Sequence, residues 1–179
     1  MANIYGKRGK ADQKNRDGGY KNVLLFAPVD TFLSLKLPTT PPVVAGDKVS
    51  ITTAHTFGVG DGFINWLCKT HGVTSKGQTV GDDGVGRMEW QFDAIILGDS
   101  ASTVEQIYDL LNDQCIFLLK DQDCHGSTEF VQFGDDCTQP TVKVAWDGKT
   151  TKDGQKEYTI TGTIYGKKYF YSGTVTEKP

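Results

Sequence analysis

A chain of 179 residues is long enough to bury one core without staples, and 21 glycines beside many aromatic and β-branched residues favour an all-β architecture rich in turns. A formal charge of −3 gives no reason to expect nucleic-acid binding driven by phosphate neutralisation. No apolar run reaches the roughly 18–20 residues of a membrane span, and the opening MANIYGKRGK is basic without an apolar stretch, so no membrane partner and no secretory leader are expected.

Residues 1–20 are polar, with Lys7, Arg8, Lys10, Lys14 and Arg16 set against Asp12 and Asp17. They hold too few apolar side chains to form core and are read as an arm, either loose or ordered by a neighbouring subunit. A single domain follows over 21–179. Asn22–Ala27 and Thr31–Leu37 read as strands closed by Pro28 and Pro38. After the turn TTPPVVAGD, Lys48–Ala54 alternates and is rich in β-branched residues. Gly58, Gly60 and Gly62 lack the spacing of a dinucleotide fingerprint and mark a turn. Phe63–Cys68 is read as a further strand.

Residues 70–86 are heavy in Gly, Ser, Thr and Asp and read as a long projecting loop, or a hairpin with 73–75 paired to 78–80 across Lys76-Gly77. Met88–Ile95 alternates with the period of a half-buried strand. Ser102-Thr103-Val104-Glu105 has capping-box spacing and predicts a helix over about 102–112. Val104, Ile107, Tyr108, Leu110 and Leu111 form its apolar stripe, and Glu105, Gln106, Asp109 and Asn112 its solvated face. Cys115–Leu119 is a continuous apolar run, expected to be a buried strand. Strands are also read at 129–133, 140–146, 157–165 and 168–175, with Gly166-Lys167 as a tight hairpin between the last two. The fold expected is mainly β: an antiparallel sandwich or barrel with one flanking helix, a polar N-terminal arm and a long mid-chain loop.

Candidate chemistry is sparse. Asp121, Asp123 and Gly126 match the start of a calcium loop, with Glu129 nearby, but His125 stands at its fifth position and Gln132 at its twelfth. An ordinary acidic turn explains these residues as well. Cys124-His125 with Cys137, or Cys68 with His71, would be soft zinc ligands at irregular separations. Reduced thiols are the simpler reading, with Cys115 a small buried hydrophobe. The adjacent pairs Asp82-Asp83 and Asp135-Asp136 point apart in extended chain, make no acid/base pair and are read as solvated surface. Neither an enzyme activity nor a cofactor is expected. Trp66, Trp90 and Trp146 with Tyr158, Tyr165, Tyr169 and Tyr171 suit either packing or a carbohydrate platform. Tyr169-Phe170-Tyr171 puts aromatics on both faces of one strand, one of which a second subunit would cover.

The order strand, helix, strand in EWQFDAIILGDSASTVEQIYDLLNDQCIFLLK, with EYTITGTIYGKKYFYSGTV late in the chain, resembles the tail-tube proteins of long-tailed bacteriophages and related contractile injection systems. The resemblance covers most of 22–175 as a pattern of elements, without a motif that assigns single residues. It implies hexameric rings stacked into a tube, with inner strands of all subunits forming one barrel and the genome passing through. It also implies residence in the virion tail after synthesis in the host cytoplasm, with other tail proteins as partners and DNA only as cargo. On that expectation the arm (Lys7, Arg8, Lys10, Arg16) and the 70–86 loop (Lys76, Asp82, Asp83) make the ring contacts. A head-decoration or tail-terminator protein and a monomeric carbohydrate-binding module remain open.

Overall fold

Alternation along the central strands sets the architecture. Along Arg87–Leu97, Phe92 and Ala94 are buried while Gln91 and Asp93 between them are only half-buried; along Glu157–Tyr165, Ile160, Gly162 and Ile164 are buried while Thr161 and Thr163 are not. Each strand therefore turns one face to a core and one away from it. The computed structural model describes residues 19–82, 86–122, 130–150, 152 and 154–179.

The strands are β1 (Tyr20–Pro28), β2 (Phe32–Ser34), β3 (Ser50–Ile51), β4 (Thr56–Phe57), β5 (Ile64–Leu67), β6 (Val73–Val80), β7 (Arg87–Leu97), β8 (Cys115–Asp121), β9 (Phe130–Phe133), β10 (Thr141–Asp147), β11 (Glu157–Tyr165) and β12 (Lys168–Tyr171). One α-helix, α1 (Ala101–Asn112), stands among the described residues, with a 3-10 turn at Val29–Thr31. A six-stranded sheet runs β3-β12-β9-β8-β1-β5, a four-stranded sheet runs β10-β11-β7-β6, and β2 pairs with β4 alone. All pairings are antiparallel except β12 with β3. The mainly β fold with one flanking helix is the one the sequence predicts.

Two apolar clusters lie on opposite faces of the six-stranded sheet. Leu24, Phe26, Phe117, Leu119, Val131 and Phe133 face the four-stranded sheet and meet Phe92, Ala94, Ile160 and Ile164 from it. Phe92 sits between Phe117 and Phe133, with ring centroids 4.9 and 5.1 Å away. Leu25, Ala27, Leu118, Phe130, Tyr169 and Tyr171 point the other way, joined by Ile51 and Phe63 and covered by Phe32 and Phe57 of the β2–β4 ribbon. The strand Cys115–Asp121 therefore reads as a continuous apolar run because both its faces are covered. Each fully buried large side chain contributes about 1.5–3 kcal/mol, so these two layers supply the main driving force.

Several expectations are corrected. Residues 73–80, within the expected loop 70–86, are not a free loop, and 73–75 do not pair with 78–80. Val73–Val80 is one strand, paired along its length with β7, and the turn falls after it. Gly77 faces Trp90 across the ladder, and a Cβ there would overlap the indole ring, so this glycine makes room for a side chain instead of turning the chain. Gly166-Lys167 is not a hairpin. Both edges of β11 are taken, by β10 and β7, so the chain crosses at Gly166 (φ +133°) to the six-stranded sheet, where β12 pairs with β9. The segments 31–37 and 48–54 keep only short ladders, at Phe32–Ser34 and Ser50–Ile51.

The helix starts earlier than the capping box suggests. Ser100, in extended conformation, is the N-cap, and its Oγ accepts the Thr103 backbone N–H at 3.2 Å. Ile107 and Leu110 are its buried side chains, Leu110 entering the inter-sheet core, while Tyr108 and Leu111 stay exposed. A narrow buried stripe fits a helix laid against the side of the sandwich at β10 instead of across a whole sheet face. Folded structure begins before residue 21: Tyr20 opens β1, and its hydroxyl shares a 2.7 Å hydrogen bond with Ser75 Oγ.

Candidate assembly interface

The outward face of the four-stranded sheet is polar over three successive rows and carries Ala145, Ile95 and Leu97 toward its other end. Register places Lys143, Thr161, Asp93 and Thr74 side by side across β10, β11, β7 and β6, and Thr141, Thr163, Gln91 and Lys76 in the next row. The following row brings Tyr165 beside Glu89 and Gln78. These neighbours bond to one another: Thr161 Oγ1 donates to Asp93 Oδ1 at 2.7 Å, Gln91 Nε2 to the same carboxylate at 3.1 Å, and Gln78 Nε2 to Glu89 Oε1 at 2.9 Å. Tyr165 hydrogen-bonds Glu89, which pushes its phenol pKa up. Cross-strand pairs of this kind stiffen a sheet, at about 0.2–1 kcal/mol each. Lys76 and Lys143 stand against Glu89 and Asp93, so the face carries both signs and no basic stripe.

Neither edge of this sheet has a strand partner among the described residues, although α1 packs at β10 and β1 lies near β6. Among the described residues no backbone hydrogen bond reaches the outer side of β10 or of β6, which are seven and eight residues long. Unpaired edges of that length are templates for another strand. At the β10 end the surface is aromatic: Trp146 is 55 % exposed and Tyr108 of α1 is also exposed, while burial first, then Asp99 and last Tyr108 push the Tyr158 phenol up. Tyr158 donates to Asp99 Oδ1 at 2.8 Å, and Lys156 holds Asp99 Oδ2 at 2.8 Å; these two bonds keep the Asp99 carboxyl below its ordinary range. Glu157, beside the same end, is bound by both Lys69 and Lys149 at 2.8 and 3.0 Å and is likewise held low.

Of the residues proposed from sequence for assembly, Lys76 and Asp82 are placed: Lys76 is exposed on β6 and Asp82 in the turn beyond it. Lys7, Arg8, Lys10, Arg16 and Asp83 lie outside the described residues, as do Asp123 and Glu129 of the acidic turn. Asp121 is half-buried at the end of β8, with Oδ1 accepting the Gln122 N–H at 2.8 Å. Cys124 and His125 are also outside the described residues; Cys68 is buried, its thiol directed at the Trp66 carbonyl, and His71 is exposed. Among the described residues one group, Asp135, Asp136 and Cys137, has metal-ligand atoms within 4.8 Å of one another. Asp135 is already committed: Oδ1 caps the Cys137 and Thr138 N–H groups, and Oδ2 accepts the Tyr169 hydroxyl at 2.7 Å. For Asp135, half-buried and bonded, this corrects the reading as plain solvated surface, whereas Asp136 is exposed as expected.

Most of the aromatic set is packing. Tyr158, Tyr169 and Tyr171 are buried, Trp66 stacks edge-on against Phe26, and Trp90 donates to the Gly166 carbonyl with Lys168 over its face at 4.2 Å. Phe170 is 40 % exposed on the strand whose other face is buried, as the pattern of Tyr169-Phe170-Tyr171 predicts. Sequence reasoning missed the two edges without a strand partner among the described residues, because alternation reports faces and not partners. Comparison with protein-family models, curated proteins and solved structures finds no match to this chain.

Proposed function

We propose that the protein is a structural subunit of a virion tail tube, and that the four-stranded sheet is its barrel segment. The observation that carries the reading is the combination of two edges without a strand partner among the described residues and an outward face that is polar over three successive register rows. In strand order β10-β11-β7-β6 the direction alternates, so β10 and β6 run oppositely. Copies placed side by side therefore continue an antiparallel ladder from β10 of one to β6 of the next without breaking alternation. Closing six copies gives a barrel of about 24 strands; at about 4.8 Å spacing and a tilt of about 40°, its backbone diameter is about 48 Å, leaving a lumen of about 35–40 Å. A wall of threonine, glutamine and balanced charge lets a polyanion pass without holding it.

In this arrangement Trp146 and Tyr108 lie beside the seam, where a large exposed aromatic is the usual energetic anchor. Trp146→Ala is expected to leave the melting temperature of the isolated chain nearly unchanged, because the side chain is half in solvent, and to abolish or sharply weaken ring formation in sedimentation. Wild-type assembly in the variant would count against the seam. A second reading, a monomeric carbohydrate-binding module, is favoured by the exposure of Trp146 alone; a strictly monomeric chain whose indole fluorescence shifts on glycan addition would support it.

A further inference from the structure

His55 is 2 % exposed, Gln132 is fully buried, and every polar atom of the pair is used. The Lys36 backbone N–H donates to His55 Nδ1 at 3.0 Å, so Nδ1 must be unprotonated and the proton sits on Nε2, which donates to Gln132 Oε1 at 2.9 Å. Gln132 Nε2 in turn donates to the Gly134 carbonyl at 2.9 Å, which fixes the amide orientation. The His55 backbone N–H donates to the Tyr171 hydroxyl at 3.1 Å, that hydroxyl donates to the Thr174 carbonyl, and the two rings stack at 4.6 Å. One side chain thus joins the segment around Lys36 and the end of the β2–β4 ribbon to β9 and β12.

The ribbon has little else in its backbone. The strands β2 and β4 pair only with each other, and their apolar contacts are Phe32, Phe57 and Phe63 on the outer face of the six-stranded sheet. The inter-sheet core lies on the opposite face and contains none of these residues.

We propose that His55 is an acid-sensitive latch, holding the β2–β4 layer (32–36 and 55–57) on the six-stranded sheet while neutral and releasing it when a proton on Nδ1 sets N–H against the Lys36 N–H; β3 between these segments stays paired with β12. The groups that face the ring are the Lys36 chain with its cation, the Tyr171 phenol from β12 and Gln132 from β9, with Phe32 and Phe63 closing the sides. Burial first, and the Lys36 cation after it, push the imidazole pKa down, against the Gln132 bond. In the released layer the ring titrates near its ordinary value of about 6.5. The latch is therefore at full strength above about pH 6.5 and weakens as pH falls toward the depressed closed-state value, by up to about tenfold in the closed-to-open ratio per pH unit. Asp47 caps the turn between the two segments, its Oδ2 accepting the Val44 and Val43 N–H groups, which hold its carboxyl below the ordinary range, so that turn loses its cap at lower pH than His55 loses the latch.

Hydrogen exchange read by mass spectrometry at about pH 7.5 and about pH 5, corrected for intrinsic exchange, separates the cases. The expected result is a loss of protection in 32–36 and 55–57 on going to the lower pH, with the strands β1, β3, β7, β8 and β11 unchanged. His55→Asn keeps an acceptor for Lys36 and removes the titration; its layer should lack the step. A step that persists in that variant, or a simultaneous loss in the central strands, overturns the latch. Should His55→Asn be open at both pH values, the wild-type chain still decides by NMR: the His55 imidazole must titrate together with the opening, and separate midpoints overturn the proposal.

Discussion

Gly162→Ala probes the packing of the two sheets most sharply. Gly162 lies at mid-strand in β11 with no positive φ, so alanine meets no backbone strain and would by itself gain slightly from a less flexible unfolded chain. The added Cβ, however, overlaps Phe92 Cε1 and Cζ outright and stands 3.1 Å from Cδ1. The Phe92 ring cannot retreat, because it is wholly buried against Phe117 and Phe133, themselves wholly buried. Overpacking of this kind costs about 1–3 kcal/mol, and the enclosure puts this site at the upper end. For a chain of this size the melting temperature should fall by about 4–12 °C, followed by circular dichroism or calorimetry. Phe92→Leu alone opens a cavity and destabilises; combined with Gly162→Ala the new methyl occupies part of it, so the pair should be better than additive by at least about 0.5 kcal/mol. Gly162→Ala within about 0.5 kcal/mol of wild type, or strict additivity, would refute the placement of Phe92 over Gly162.

Ser100→Ala should cost about 1 kcal/mol by removing the N-cap, whereas Ser102→Ala should be nearly neutral; the reverse order in chemical denaturation would restore the capping box at Ser102. Burial pushes the Cys68 and Cys115 thiols up to about 11 and about 12, so iodoacetamide at about pH 8 should leave both unmodified in the native chain and label them only after unfolding, as peptide mass spectrometry would reveal.

The long strands and the helix were legible in the sequence because each pays out a clean period: two in Arg87–Leu97, Thr141–Asp147 and Glu157–Tyr165, and close to 3.6 around Ile107 and Leu110. Glycine misled where it served packing. Gly77 sits under Trp90, and a local reading took it for a turn, which split β6 in two and turned an edge strand into a loop. Gly166-Lys167 looked like a hairpin because the two flanking strands are adjacent in sequence, but partners depend on which edges are free, a property of the whole sheet. Deleting 70–86 would for the same reason remove Val73 from the core and not merely a contact loop. His55 gave no signal: a lone histidine in a polar stretch acquires its role only when Lys36, Gln132 and Tyr171, distant in sequence, are brought around it.

The assembly claim is tested most directly by negative-stain microscopy of the purified chain across a wide concentration range. A hexameric barrel of this domain predicts rings or tubes about 100 Å wide with a stain-filled lumen of about 35–40 Å. A monomer at every concentration, with no ring or tube in any field, would contradict it.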